Sequence, residues 1–171
     1  MKLKCLLIIL GIFNYSIIYA QDTLSIENIY LENSIVYDAK SELAFTGVAQ
    51  KMRKNGHLVF EEVYDQGILV EFRGYYNGNT KRLSDKIFYY RDKPFVPKEA
   101  IRYYTNKKQA IIETTSYNRN EEKTLVTRYA DTTLIYKCSY KNGKKNGKEF
   151  CYDKNDKPLI TTFKEGKKVK D

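Results

Sequence analysis

Three cysteines, one histidine and a few acid pairs are the residues of this 171-residue chain whose types could support chemistry. Cys138 and Cys151 invite a disulfide, and together with His57 they invite a metal site. A closed zinc shell needs four ligands at short paired spacings, which this set does not supply. Glu61-Glu62 and Glu121-Glu122 could in principle work as general acid and base. Adjacent residues on a strand point to opposite faces, however, so neither pair can share a substrate, and solvated surface is their expected role. His57 follows the turn dipeptide Asn55-Gly56, where an exposed turn residue is expected. The chain has no glycine-rich phosphate loop and no nucleophile elbow. The expectation is a protein without catalytic residues, cofactor or metal.

Binding is the chemistry that remains. The sixteen tyrosines include the neighbouring pairs Tyr75-Tyr76, Tyr89-Tyr90 and Tyr103-Tyr104. Alternation along a strand turns one member of each pair outward, which makes Tyr75, Tyr90 and Tyr103 candidates for a protein or glycan interface; packing inside a curled sheet is the competing role. Charge supplies a second candidate. Of a formal net charge of +9, +6 falls between Lys137 and Asp171, where eleven lysines stand against five acids. Lys144 and Lys145 sit at a turn tip, and Lys167 and Lys168 lie near the end. Such a patch attracts lipid headgroups, envelope polysaccharide or an acidic protein through screened forces. Alternatively, the lysines keep the array soluble and stop its last strand from pairing with another chain. No arginine follows Arg128, so the patch lacks the forks that suit phosphate, and nucleic acid is not an expected partner.

The elements that position these residues follow from spacing. Tyr117, Tyr140 and Phe163 are each 23 residues apart, with Tyr129 and Tyr152 marking half-steps of 12. Met52, Tyr64 and Tyr76 continue the same interval of 12 toward the N-terminus. The stretches Leu58 to Tyr64, Ile68 to Tyr76, Ile111 to Tyr117, Leu125 to Tyr129 and Leu134 to Tyr140 have strand composition. Asn55-Gly56, Asn77-Gly78, Asn142-Gly143, Asn146-Gly147 and Glu165-Gly166 supply the positive backbone angles of tight turns. A repeat of about 23 residues is therefore a hairpin, and the fold class is all-β: an extended antiparallel meander of about ten strands. The spacing also suits a closed β-barrel, although glycine-bearing turns on both halves of the repeat favour the open form. Residues 21–171 form one β-repeat domain, with degenerate middle repeats and an insertion over 79–116, where glycine is absent. Met52, Tyr64, Tyr76, Tyr104, Tyr117, Tyr129, Tyr140, Tyr152 and Phe163 are expected as core rungs.

Phe45-Thr-Gly47, Lys54-Asn-Gly56-His-Leu58, Tyr64-Asp-Gln-Gly67, Tyr76-Asn-Gly78 and the run from Tyr140 to Tyr152 resemble variant MORN repeats. The resemblance covers roughly residues 43–78 and 117–168, and departs from the pattern at Asn120, Met52 and the glycine-free middle. It implies an elongated antiparallel sheet in an exported bacterial protein, with an antitoxin-like role.

Residues 1–20 have the layout of a secretory signal peptide: Lys2 and Lys4, an apolar run from Leu6 to Phe13 extended by Ile17 and Ile18, then Ala20 before Gln21-Asp22. Cys5 lies inside that segment and not at its cleavage point, so lipid attachment is not expected. The chain is expected to be exported to the periplasm or outside, with no transmembrane segment after the signal is removed. In that compartment a Cys138–Cys151 bridge is chemically available. If Tyr140 and Tyr152 both face the core, Cys138 shares that face and Cys151 points away, which disfavours the bridge; a bulge in the lysine-rich turn would reverse the parity. The functional expectation is a non-catalytic binding module with a protein partner, antitoxin-like or immunity-like by resemblance. The alternative is an envelope structural protein whose lysine-rich end docks on an anionic surface.

Overall fold

The computed structural model describes residues 22–78, 80–105 and 110–169. The expected signal peptide, residues 1–20, lies outside them. Among the described residues, fourteen strands and one short 3-10 turn, Ile26–Asn28, follow one another. The first are β1 (Asp22–Ser25), β2 (Ile29–Glu32), β3 (Ile35–Asp38) and β4 (Gly47–Met52). Next come β5 (Leu58–Asp65), β6 (Ile68–Tyr75), β7 (Leu83–Tyr89), β8 (Pro97–Thr105) and β9 (Ala110–Tyr117). The series ends with β10 (Lys123–Ala130), β11 (Thr133–Lys141), β12 (Lys144–Tyr152), β13 (Pro158–Lys164) and β14 (Lys167–Lys168).

Twelve strands form one sheet in the order β1, then β4 through β14; β2 and β3 form a separate hairpin. Every neighbouring pair from β4 onward is antiparallel, whereas β1 runs parallel to β4. The outer strands do not pair with each other, so the sheet is an open meander and not a barrel. The stretch 79–116 supplies β7, β8 and most of β9 in unbroken ladder order. Turn chemistry sets the hairpins. Gln66-Gly67, Asn142-Gly143 and Glu165-Gly166 each place both residues at positive φ, between 51° and 83°, the twist that matches right-handed strands.

Residues directly opposite across a ladder share a face, so two rows can be traced along the sheet. The first face carries Ala49, Glu62, Phe72, Ile87, Ala100, Thr115, Val126, Cys138, Glu149 and Thr161 in register. The second carries Gln50, Glu61, Arg73, Lys86, Ile101, Thr114, Thr127, Lys137, Phe150 and Ile160. The buried hydrophobic cluster lies on the first face, where Val36 of β3, Phe45, Ala49, Tyr64 and Leu69 meet; farther along the same row Val126, Cys138 and Glu149 are also buried.

That geometry corrects the expected common core. Tyr64 is buried, but Met52, Tyr104, Tyr129 and Tyr152 are exposed and the other rungs are half-buried. The physical reason is that one sheet has no second layer to bury a ladder beyond the β2–β3 hairpin. The rungs also divide between faces. Tyr117, Tyr140 and Phe163 step by two from Thr115, Cys138 and Thr161 on the first face, whereas Tyr129 and Tyr152 step by three from Val126 and Glu149 onto the second. Cations cover the rings in place of a layer: Lys123 lies 3.9 Å from the centroid of Tyr140, Arg128 5.0 Å from Tyr136 and Arg82 4.9 Å from Tyr76.

The cysteine parity changes with it. Cys138 stands opposite Glu149, and Cys151 stands opposite Tyr136, so the two thiols share the first face on a diagonal. Both are free, Cys138 buried and Cys151 half-buried. Diagonal neighbours lie about 7–8 Å apart, beyond comfortable disulfide span. Thiol labelling of the native protein is expected to mark Cys151 first and Cys138 only on unfolding; simultaneous labelling would contradict this packing.

Candidate functional site

The second face holds a polar centre that the sequence reading placed in solvent. Glu61 on β5 is only 3% exposed. Its carboxylate accepts hydrogen bonds from the Tyr75 hydroxyl at 2.5 Å, Lys81 Nζ at 2.9 Å, Gln50 Nε2 at 2.9 Å and Arg73 Nη1 at 3.3 Å. Register explains the convergence: Gln50 and Arg73 lie directly opposite Glu61 on its two neighbouring strands, and Tyr75 is two residues beyond Arg73. Burial alone would raise the Glu61 pKa, but the donors from Tyr75, Lys81 and Gln50 and the charge of Lys81 outweigh it and hold the carboxyl at about 2. Glu71 also titrates low: burial opposes the shift, and the hydrogen bonds from Arg73 and Lys86 prevail. Glu62, as expected from alternation, points to the other face and accepts from the Tyr64 hydroxyl at 2.7 Å.

Tyr75 therefore serves the fold. Its hydroxyl is committed to Glu61, Lys81 stands 5.1 Å from its ring centroid, and burial followed by the Glu61 bond raises its pKa. Tyr90 is fixed too, with its hydroxyl donating to the Tyr117 carbonyl at 2.9 Å and Arg119 stacked 4.8 Å above its ring. Tyr103 is half-buried on the same face as Tyr75 and stands opposite Ile112. The three tyrosines are not brought into one site.

What does assemble is a row that sequence spacing did not disclose. Tyr103 of β8 pairs with Ile112 of β9, Ile112 with Tyr129 of β10, and Tyr129 with Leu134 of β11. Four apolar side chains thus cross four strands on the second face, and Tyr129 is 38% exposed. The sheet contacts that bridge a face, β3 with β6 and the 3-10 turn with β4, lie at the other end of the ladder.

A second buried carboxylate, Glu149, sits on the first face and accepts from the Tyr136 hydroxyl at 3.0 Å and from Lys145. Glu149 precedes Tyr152 by three residues, as Glu61 precedes Tyr64, and that shared offset is the signal by which both could have been found. The lysine pair at the turn tip consequently divides. Lys145 folds inward onto Glu149 and over the rings of Tyr136 and Phe163, whereas Lys144 is exposed. Lys167 and Lys168 are exposed on β14. His57 closes the turn that begins at Arg53, its amide donating to Asn55 Oδ1 at 3.2 Å.

Fold and site together define an open, all-β, repeat-like meander with internally neutralised carboxylates and a cross-strand apolar band. No protein-family model, curated protein or solved structure matches the chain.

Proposed function

We propose that this chain is an exported, non-catalytic binding module that receives a protein partner on its second face. The band of Tyr103, Ile112, Tyr129 and Leu134 carries this reading, because it sets rigid aromatic and aliphatic side chains on a face beyond the reach of the β2–β3 hairpin. Aromatic anchors on a preorganised backbone lose little entropy on binding, which is why they dominate interface energetics. An immunity-like role, implied by the resemblance to variant MORN repeats, supplies the natural kind of partner, an exported toxin.

The test uses envelope extract passed over immobilised protein and over a Tyr103→Ser, Tyr129→Ser variant. A discrete partner recovered by the native protein and lost by the variant is expected, with a loss of affinity of about tenfold or more. Equal recovery by both would remove the band from the function. Tyr75 is not a suitable probe, since its removal also disturbs Glu61.

A further inference from the structure

The ladder runs one way, so the sheet has two ends, and their chemistry is unlike. Residues 22–52, which build β1, the β2–β3 hairpin and β4, hold Asp22, Glu27, Glu32, Asp38 and Glu42 against Lys40 and Lys51, a net −3. Residues 137–169, at the other end, hold ten lysines against four acids, a net +6. Glu27 is engaged by Lys51 at 2.7 Å, but Asp22, Glu32 and Glu42 are exposed. Both ends also carry exposed apolar side chains. Tyr30, Leu31 and Leu43 are 41%, 58% and 68% exposed at the acidic end; Leu159, Ile160 and Val169 are 45%, 62% and 40% exposed at the basic end.

The basic end also offers backbone. β14 pairs only with Phe163 and Lys164, and the Val169 amide donates to the Thr162 carbonyl, so from Pro158 to Thr161 the described ladder pairs β13 with β12 alone. An edge of this kind, with apolar side chains on it, is a template for another strand. At the opposite edge β1 pairs with β4 alone.

We propose that the protein self-associates head to tail, the lysine-bearing β13–β14 edge of one copy seating on the acidic β1 and β2–β3 end of the next. Opposite net charge steers the two ends together and excludes like ends, and the paired apolar patches supply the desolvated contact. The two surfaces differ, so the contact is heterologous. Each added copy leaves its other end free, and growth continues as an open chain unless the rotation closes a ring. The second-face band takes no part, so a partner bound there and a neighbouring copy do not compete.

Sedimentation velocity of the purified protein over a concentration series tests this at low and at high salt. Average mass is expected to rise with concentration at low salt and to fall back to the monomer at high salt. Glu32→Lys with Glu42→Lys, and separately Lys167→Glu with Lys168→Glu, are each expected to weaken association by about tenfold or more. An equimolar mixture of the two variants is expected to restore it, because each reversed end then meets its complement; a folding defect cannot produce that rescue. A monomer at every concentration in low salt would overturn the proposal. So would association that both charge reversals leave intact, or lysines that bind anionic vesicles while the protein stays monomeric.

Discussion

Glu61→Ala is expected to destabilise the fold by about 3 kcal/mol, read as a fall in the urea midpoint at neutral pH. The size follows from what each partner loses. The Tyr75 hydroxyl and the Gln50 amide are half-buried donors left without an acceptor, which costs more than the bonds themselves contributed. Arg73 keeps Glu71 at 2.6 Å, and Lys81, whose side chain is 58% exposed, can rehydrate, so these cations add little to the loss. Glu61→Gln retains the shape and an acceptor oxygen for Tyr75 while removing the charge, and is expected to cost nearly as much, because the donors hold the ionised form. An unaltered midpoint in Glu61→Ala would show that the centre is decoration on a sheet held by its backbone ladder.

The same residue makes an acid limb. Its carboxyl titrates at about 2 in the folded chain against 4.5 as the ordinary value, so folding favours the ionised form. The resulting stabilisation is complete above about pH 4.5 and is lost as pH falls toward 2. That shift corresponds to about 3 kcal/mol, in line with the cost expected from the hydrogen bonds. The stability difference between native protein and Glu61→Gln should therefore shrink steadily across this window. A difference that stays constant to pH 2 would mean that packing, not charge, carries the centre. Glu71, also held low by Arg73 and Lys86, leaves a smaller acid limb in the variant.

Much of the ladder was legible because turns and strand composition are local. Asn142-Gly143 and Glu165-Gly166 are turns as their composition demands, and the hairpins β11–β12 and β13–β14 lie where those dipeptides put them, whereas Asn146-Gly147, expected as a turn, lies inside β12 with Gly147 paired to Phe163. Facing was not legible, because side-chain parity depends on register, and the β9–β10 register slips by one residue between Lys123 and Leu125. One slipped residue exchanges the faces of everything beyond it. That slip turns Tyr129 away from the face of Tyr117, whereas Tyr152 leaves the face of Tyr140 by alternation alone, the slip between Cys138 and Tyr140 being two residues. Glu61 escaped notice for a related reason. Its neighbours Gln50, Arg73 and Lys81 are remote in sequence and meet it only through cross-strand pairing, so an acid pair read in isolation passes for surface. The parallel strand β1 carries no local mark, being four residues whose pairing is decided by β4.

Gly67→Ala is expected to cost about 3 kcal/mol and to release the β2–β3 hairpin from the sheet. Gly67 sits at φ +77°, where an added Cβ would stand 2.4 Å from Ile35 Cγ2 and 2.8 Å from the Val36 carbonyl oxygen. Ile35 can turn aside, but the Val36 carbonyl is backbone and moves only if the hairpin moves. That hairpin is stitched to the same residue, since the Val36 amide donates to the Gly67 carbonyl at 2.9 Å and the Gly67 amide to Phe45 at 2.7 Å. Displacing it uncovers Tyr64, Ala49 and Leu69, the buried cluster of the first face. Gly143→Ala is the control. Gly143 holds the same place in its turn, at φ +72°, yet nothing lies within 4 Å of its added Cβ, so it should lose only the backbone term of about 1 kcal/mol. The excess of the first variant over the second, measured by urea denaturation, isolates the contribution of hairpin docking. Near-equal losses would mean that the hairpin rides on the sheet without stabilising it, and that the buried cluster is held by β4, β5 and β6 alone.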